Sequence, residues 1–149
     1  MSSCSFQRLA GPVLAFALLC LAPLAQAQAA DTDSAKNKAI VQGFWHDVLI
    51  AKNVDAAPRY LRPDYIQHNP HIPSGLIGFQ NFFRKEFTQV PPDFKVEIVK
   101  TVAEGDLVVT YSQFSGTDQQ HKPFSGTVFD MFRIQGSLIA EHWEQIEPE

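Results

Sequence analysis

One carboxylate near the end of the chain has a setting that could support proton chemistry. The segment 123–147 contains two strand-like runs on either side of Gln135-Gly136-Ser137, a pattern typical of a β-hairpin. In the first run, the two-residue period of a strand places Asp130 on one face with Val128 and Phe132. A carboxylate on a buried apolar face is costly unless it binds a partner or takes up a proton. Asp130 is therefore the first candidate for a functional residue.

The second run of the hairpin supplies the candidate neighbours of Asp130. If Gly136 and Ser137 are the two turn residues, Asp130 lies opposite Trp143. A slip of one residue in the register would bring His142 to that place instead. Trp143 would then be a pocket wall or a hydrogen-bond donor, whereas His142 would orient Asp130. The sequence leaves both pairings open.

The chemistry that suits such a carboxyl group is general acid/base catalysis. An aldol ring closure needs a base to remove a proton beside a carbonyl and an acid to protonate the resulting alkoxide. One carboxyl group in an apolar pocket can do both in succession. His68, at the edge of a Pro/Gly loop, could polarise a carbonyl or relay a proton, or it could fasten the loop. The hydroxyl of Tyr65 could stabilise an enolate or be a satisfied core group.

The sequence predicts neither a metal site nor a cofactor site. His68 and His71 flank Pro70, so they do not share a helix face as in an H-E-x-x-H site. The two cysteines, Cys4 and Cys20, both lie in the N-terminal segment that is predicted to be removed, so the mature chain has no cysteine ligand. The chain also has no nucleophile-elbow serine, phosphate-binding glycine loop or dinucleotide fingerprint.

The N-terminal segment has the pattern of a secretory signal peptide. Arg8 is the only charged residue before Asp31, and an apolar run at 9–24 precedes two A-x-A cleavage sequences. The run is short for a membrane span, so no stable membrane anchor is expected after cleavage. We predict export to the periplasm or beyond, with a signal peptide at 1–29, a flexible leader at 30–36 and one domain at 37–149.

Composition limits the class of partner. The 149 residues carry 12 Lys and Arg against 16 Asp and Glu, a formal net charge of −4, with no basic run. A nucleic-acid partner is therefore not expected. The predicted domain contains no cysteine, so its stability must come from packing rather than from disulfides.

The elements that must position these residues change from helices to strands along the chain. A helix capped by Asp33 or Ser34 is predicted to run to about Lys52. Its wide apolar stripe includes Phe44 and Trp45, which could pack in the core or line a cavity. Helices followed by antiparallel strands indicate an α+β fold. The other predicted elements are helices at 54–61 and 76–88, an extended piece at 65–70, and strands at 94–103 and 107–116 before the hairpin.

Three segments together resemble the SnoaL-like polyketide cyclases of the nuclear transport factor 2-like superfamily. They are Tyr65-Ile66-Gln67-His68-Asn69-Pro70, Phe129-Asp130-Met131-Phe132-Arg133 and Ile139-Ala140-Glu141-His142-Trp143, and the likeness extends over 37–146. The resemblance implies a cone-shaped, curved antiparallel sheet wrapped around N-terminal helices, an apolar pocket, and a homodimer through the sheet. Glu144 stands where this family more often has aspartate, a change expected to affect the rim more than the pocket.

In the polyketide cyclases, a pocket aspartate is the general acid/base of an intramolecular aldol closure without metal or cofactor, and the motif position implies that role for Asp130. We therefore predict cofactor-free catalysis, of the aldol cyclase or isomerase type, on a small apolar carbonyl compound. His68 and His142 are the other predicted catalytic residues. The predicted substrate pocket consists of Trp143, Tyr65, Asn69, Trp45, Phe44, Phe132 and Val128.

Two alternatives to catalysis stay open, because this superfamily also contains isomerases, hydrolases, dehydratases and plain binders. One is a non-catalytic periplasmic binder of small hydrophobic molecules. The other is an interaction module whose pocket is filled by its own side chains.

Overall fold

The structure, a computed structural model, describes the backbone of residues 22–148 and the side chains of residues 33–147. It is an α+β fold, which confirms the predicted class. A π-helical turn, Trp45–Ile50, continues the first helix, and a 3-10 helix, Val54–Arg59, precedes the first strand. The helices are α1 (Ala22–Phe44) and α2 (Leu76–Glu86), and the strands are β1 (Leu61–Gln67), β2 (Lys95–Glu104), β3 (Leu107–Thr117), β4 (Pro123–Gln135) and β5 (Leu138–Pro148).

The five strands form one curved, unclosed sheet in the order β1-β5-β4-β3-β2. Strands β2 to β5 pair antiparallel, as the resemblance implies, whereas β1 pairs parallel to β5. The first three residues of the extended piece predicted at 65–70 are therefore the end of β1, a fifth strand of the sheet. Its parallel pairing brings the residues after Tyr65 beside the middle of β5, where Gln67 lies opposite His142.

The helices cover one face of the sheet. Helix α1 packs on β2, β3 and β5, and α2 packs on β1 and the 3-10 helix. Aromatic rings join the two layers, with Phe44 5.7 Å from Phe79 and 6.1 Å from Phe132 between ring centroids. The apolar stripe predicted on the first helix therefore faces the inner side of the sheet, which is the side that carries Asp130.

The start of the first helix differs from the prediction. Asp33 and Ser34 lie inside α1, so neither is its N-cap, and residues 30–36 lie within the same helix. The reason is local, because the segment 22–30 is rich in alanine, the strongest helix former. Most of the predicted signal peptide lies outside the described residues, and its cleavage stays a prediction. Among the described residues, no helix combines the length and apolarity needed to cross a membrane.

Candidate active site

A β-bulge at Ala140 decides which side chains of β5 face the helices. Next to the turn, Ile134 pairs with Ile139, the register expected from a Gly136-Ser137 turn. Beyond Ala140 the register shifts by one residue, and Asp130 pairs with Glu144. The extra residue of a bulge changes the facing of every residue that follows it in the strand.

Both predicted partners directly opposite Asp130 are therefore wrong. Trp143 pairs with Met131, on the outer face of the sheet, which is the face turned away from the helices. His142 pairs with Phe132 on the inner face, two residue pairs along from Asp130. The imidazole nevertheless reaches Asp130 diagonally, since residues on one face two positions apart are neighbours.

Asp130 and His142 form a buried hydrogen-bonded pair. Asp130 is 3% exposed and His142 is 7% exposed. The distance from His142 Nε2 to Asp130 Oδ1 is 2.9 Å, and the hydroxyl of Thr110 donates to Asp130 Oδ2 at 3.2 Å. On its other side, the imidazole Nδ1 lies 2.9 Å from the amide nitrogen of Gln67. The carboxylate thus has a donor on each oxygen.

The hydrogen bonds around Gln67 assign the proton of His142. The backbone N–H of Asn69 donates to Gln67 Oε1 at 2.9 Å, which identifies that atom as the amide oxygen. The amide nitrogen must then donate to His142 Nδ1, so Nδ1 carries no proton. The ring proton is on Nε2 and is donated to Asp130.

Tyr65 presents a hydroxyl donor to the same site. Its oxygen accepts a hydrogen bond from the Gln67 amide at 3.1 Å, and among the described residues its own O–H has no acceptor. Burial raises the pKa of Tyr65 far above its usual value, and the negative charges of Glu144 and Asp130 add to this effect. The phenol therefore stays neutral and able to donate.

A cavity of about 330 Å³ lies between the helices and the inner face of the sheet. Asp130, His142, Gln67 and Glu144 lie close together in its wall, and most of the other lining residues are aromatic or aliphatic. Of the predicted pocket residues, the structure places Phe44, Trp45, Tyr65, Val128 and Phe132 in this wall, together with Asp130 and His142. The other lining residues are Leu49, Gln67, Ile72, Phe79, Phe83, Glu86, Phe87, Val90, Phe94, Val96, Phe114, Glu144 and Ile146.

His68 and Trp143 do not line this cavity. Their rings stack on each other with centroids 4.4 Å apart and planes 5° apart. His68 Nε2 lies 3.0 Å from Glu141 Oε2, and Arg133 Nε donates to the other oxygen of Glu141 at 2.9 Å. Hydrogen bonds from His68 and Arg133 hold the pKa of Glu141 below its usual value. These four residues form a cluster outside the cavity, because the bulge turns Glu141 and Trp143 away from the inner face.

Asn69 and Glu144 also differ from their expected places. Asn69 does not line the cavity, but its side-chain amide donates to the carboxylate of Glu144. Glu144 lines the cavity beside Asp130, so its predicted position at the rim is wrong. The same bulge explains this, because without it residue 144 would face outward.

Gln67 and Thr110 are polar residues of the site that sequence reasoning missed as candidates. The only signal for Gln67 was its spacing of two residues from Tyr65, which places both side chains on one face of β1. Thr110 is inconspicuous in a strand rich in β-branched residues, where threonine is common.

The carboxylates and the imidazole also form a cluster that could hold a metal ion. Asp130, His142 and Glu144 each offer one ligand atom, and these atoms lie within 4.8 Å of one another. A histidine bound to a metal through one nitrogen normally donates its other ring N–H to an acceptor. Here Gln67 donates to Nδ1, so a metal on Nε2 would require both nitrogens to be unprotonated. The donor set does not fit a resident metal.

Similarity to known structures supports the fold. TsrD from Streptomyces laurentii is 24% identical, with a TM-score of 0.66 over 76% of this chain and 89% of that one. A SnoaL-like polyketide cyclase from Agrobacterium tumefaciens is 15% identical, with a TM-score of 0.62 over 72% and 88%. An LEH-like epoxide hydrolase from M. tuberculosis is 17% identical, with a TM-score of 0.63 over 77% and 85%.

The family assignment depends on the sequence itself. No protein of curated function matches the chain significantly. The sequence model described as SnoaL-like polyketide cyclase matches residues 39–148, which is most of the chain and all of the sheet. The chain therefore belongs to the SnoaL-like polyketide cyclase family.

Proposed function

We propose that this protein catalyses proton transfer on a small apolar carbonyl compound, in a reaction of the aldol cyclase or isomerase type, with no metal or cofactor. The observation that supports the proposal is the buried carboxylate of Asp130 in the wall of a largely apolar cavity. Family membership supports the general kind of catalysis. The cavity, at about 330 Å³, suits a small molecule with one polar end.

The arrangement of donors suggests how the reaction would proceed. The Asp130 carboxylate takes a proton from the carbon beside the substrate carbonyl, and the Tyr65 hydroxyl donates to the oxygen of the developing enolate. Asp130 then returns the proton, either to a different carbon in an isomerisation or to the alkoxide formed in an aldol closure. His142 and Thr110 hold the carboxylate in place throughout by donating to its two oxygens.

Exchange of substrate protons with solvent tests this proposal without knowledge of the natural substrate. A panel of small hydrophobic ketones and β-dicarbonyl compounds is incubated with the protein in D₂O, and deuterium at the carbon beside the carbonyl is followed by NMR. Asp130→Asn should slow the exchange by at least about 100-fold, because the amide is not a useful base. Asn also keeps an oxygen that can accept from His142, so the fold should persist.

A matched variant separates the loss of a base from the loss of a charge. Asp106 is an exposed aspartate in the turn between β2 and β3, and Asp106→Asn should leave the exchange rate unchanged. Undiminished exchange in Asp130→Asn would refute the role of Asp130. Binding of hydrophobic ligands with no exchange by the wild-type protein would favour the binder instead.

The proposal extends to location and partners. We propose that the protein is exported, supported by the signal-peptide pattern of residues 1–29. N-terminal sequencing of protein recovered from the periplasm or medium should find a start near residue 30.

We also propose a homodimer through the outer face of the sheet, where Phe129 is 49% exposed and stacks on Tyr111. The acidic charge supports a small-molecule ligand rather than nucleic acid.

A further inference from the structure

We propose that Gln67 is a positioning residue that holds the two reactive groups of the site, the His142–Asp130 pair and the Tyr65 hydroxyl, in the form that proton transfer needs. This inference rests on the proposed function and adds a residue that touches neither the carboxylate nor its proton. Its evidence is the set of hydrogen bonds around one buried amide.

The orientation of the Gln67 amide is fixed by the loop that follows β1. The N–H of Asn69 donates to the amide oxygen, so the amide nitrogen has to face the interior. The backbone of Gln67 is held by the same loop, since its N–H donates to Ser74 Oγ at 3.0 Å and its carbonyl accepts from that hydroxyl at 3.4 Å. Rotation of the amide would place its NH₂ group against the Asn69 N–H.

The two hydrogens of the amide nitrogen serve two different partners. One is directed to His142 Nδ1 at 2.9 Å and the other to the Tyr65 oxygen at 3.1 Å. A donor facing Nδ1 excludes a proton from that nitrogen, so His142 stays neutral and donates Nε2–H to Asp130. A donor facing the phenol oxygen leaves the Tyr65 O–H to point elsewhere, and Tyr65 lines the cavity.

The consequence for catalysis concerns the charge of the pair. An imidazole protonated on both nitrogens would form an ion pair with Asp130 and make the carboxylate a weaker base. With Nδ1 blocked, Asp130 accepts a hydrogen bond from a neutral ring and keeps its full negative charge. Gln67 therefore keeps Asp130 reactive without contact with it.

The experiment determines by ¹⁵N NMR which ring nitrogen of His142 carries a proton. In ¹⁵N-labelled full-length protein at neutral pH, the ring nitrogens of His142 are assigned by their loss in His142→Gln. The wild-type spectrum should show an unprotonated Nδ1 and a protonated Nε2. In Gln67→Glu the new carboxylate accepts rather than donates, so Nδ1 should gain a proton. In Gln67→Met no donor faces Nδ1, and the negative charges of Asp130 and Glu144 should raise its protonated fraction above that of the wild type.

The control removes the other donor to Asp130. Thr110→Val has nearly the same shape and takes away the bond to Asp130 Oδ2, yet it should leave Nδ1 unprotonated. Deuterium exchange into a ketone should fall by about tenfold or more in both Gln67 variants, comparable to the loss when a hydrogen-bond partner that orients a metal-bound histidine is replaced. If Gln67→Glu does not fold, Gln67→Met alone decides the matter.

The results separate the two proposals. A proton on Nδ1 in the wild type, or an unprotonated Nδ1 in every folded Gln67 variant, would overturn the role of Gln67, whatever the protein catalyses. Absence of exchange by the wild type, with the Nδ1 results as expected, would refute the proposed function while leaving the control of His142 by Gln67 in place.

Discussion

Tyr65 is a side chain whose burial suits it to one task. Burial raises the pKa of its phenol, and nearby negative charge raises it further, so the group does not ionise in the ordinary pH range of tyrosine. It accepts from Gln67 and has no acceptor of its own among the described residues. A neutral donor with a free hydrogen in an apolar cavity is suited to a developing oxyanion.

Replacement of Tyr65 gives the first prediction. Tyr65→Phe should slow deuterium exchange by about 100- to 1000-fold, because the enolate oxygen loses its donor. The matched variant is Tyr60→Phe, since Tyr60 donates to Asp47 at 2.6 Å and does not line the cavity. The wild-type rate should not fall as pH rises through the usual tyrosine range, because a raised pKa keeps the donor protonated. A Tyr65→Phe rate equal to that of Tyr60→Phe would contradict the assignment.

Strand β5 controls the site through its bulge. The residues before Ala140 follow the register set by the turn, and those after it follow a register shifted by one residue. His142 and Glu144 thereby face the cavity, while Glu141 remains outside, bonded to His68 and Arg133. A single extra residue therefore separates the carboxylate that enters the site from the one that does not.

Removal of that residue is the second prediction. Deletion of Ala140 should remove the bulge and leave the pairs from Arg133–Glu141 onward as they are, because the shortened strand then alternates regularly from the turn. His142 and Glu144 should still face the cavity, so the variant should unfold cooperatively, with a fall in Tm of less than about 10 °C by circular dichroism, and should keep most of the wild-type rate of deuterium exchange. Deletion of Gln119, in the exposed connection between β3 and β4, is the control for the loss of one residue. Loss of exchange in the folded Ala140 deletion, with exchange retained in the Gln119 deletion, would contradict this account of the bulge.

The sheet as a whole has an inner face that the helices cover and an outer face on which no helix of residues 22–148 packs. On the outer face, the half-exposed ring of Phe129 stacks on Tyr111 with centroids 4.8 Å apart. Met131 and Trp143 lie on the same face by strand alternation. Apolar rings of this kind on a sheet face are suited to contact with a second copy.

Oligomeric state provides the third prediction. Phe129→Glu should shift the protein from dimer to monomer in sedimentation equilibrium. Each of the two copies would otherwise have to bury a carboxylate in the interface. The control is Ile77→Glu, since Ile77 is 68% exposed on α2, away from the outer face. Ile77→Glu should sediment as the wild type does. A wild-type monomer, or an unchanged dimer in Phe129→Glu, would exclude this interface.

The sequence by itself determined the local features of the molecule. The helical stripe with Phe44 and Trp45, the period-two strands and the Gly136-Ser137 turn all depend on neighbours within a few residues, and the structure has each of them. The position of Asp130 on the inner face followed from the same period. The family motifs added the fold, and the match over 39–148 confirms them.

Only the tertiary structure decided the partners of Asp130. A bulge leaves no clear mark in composition, so the alternation along β5 could not show that Glu144, not Trp143, would face the cavity. The parallel pairing of β1 joins residues about 75 positions apart, and no periodicity predicts that Gln67 meets His142. Periodicity reports which way a side chain faces within one element, whereas the contacts of a site depend on how distant elements align.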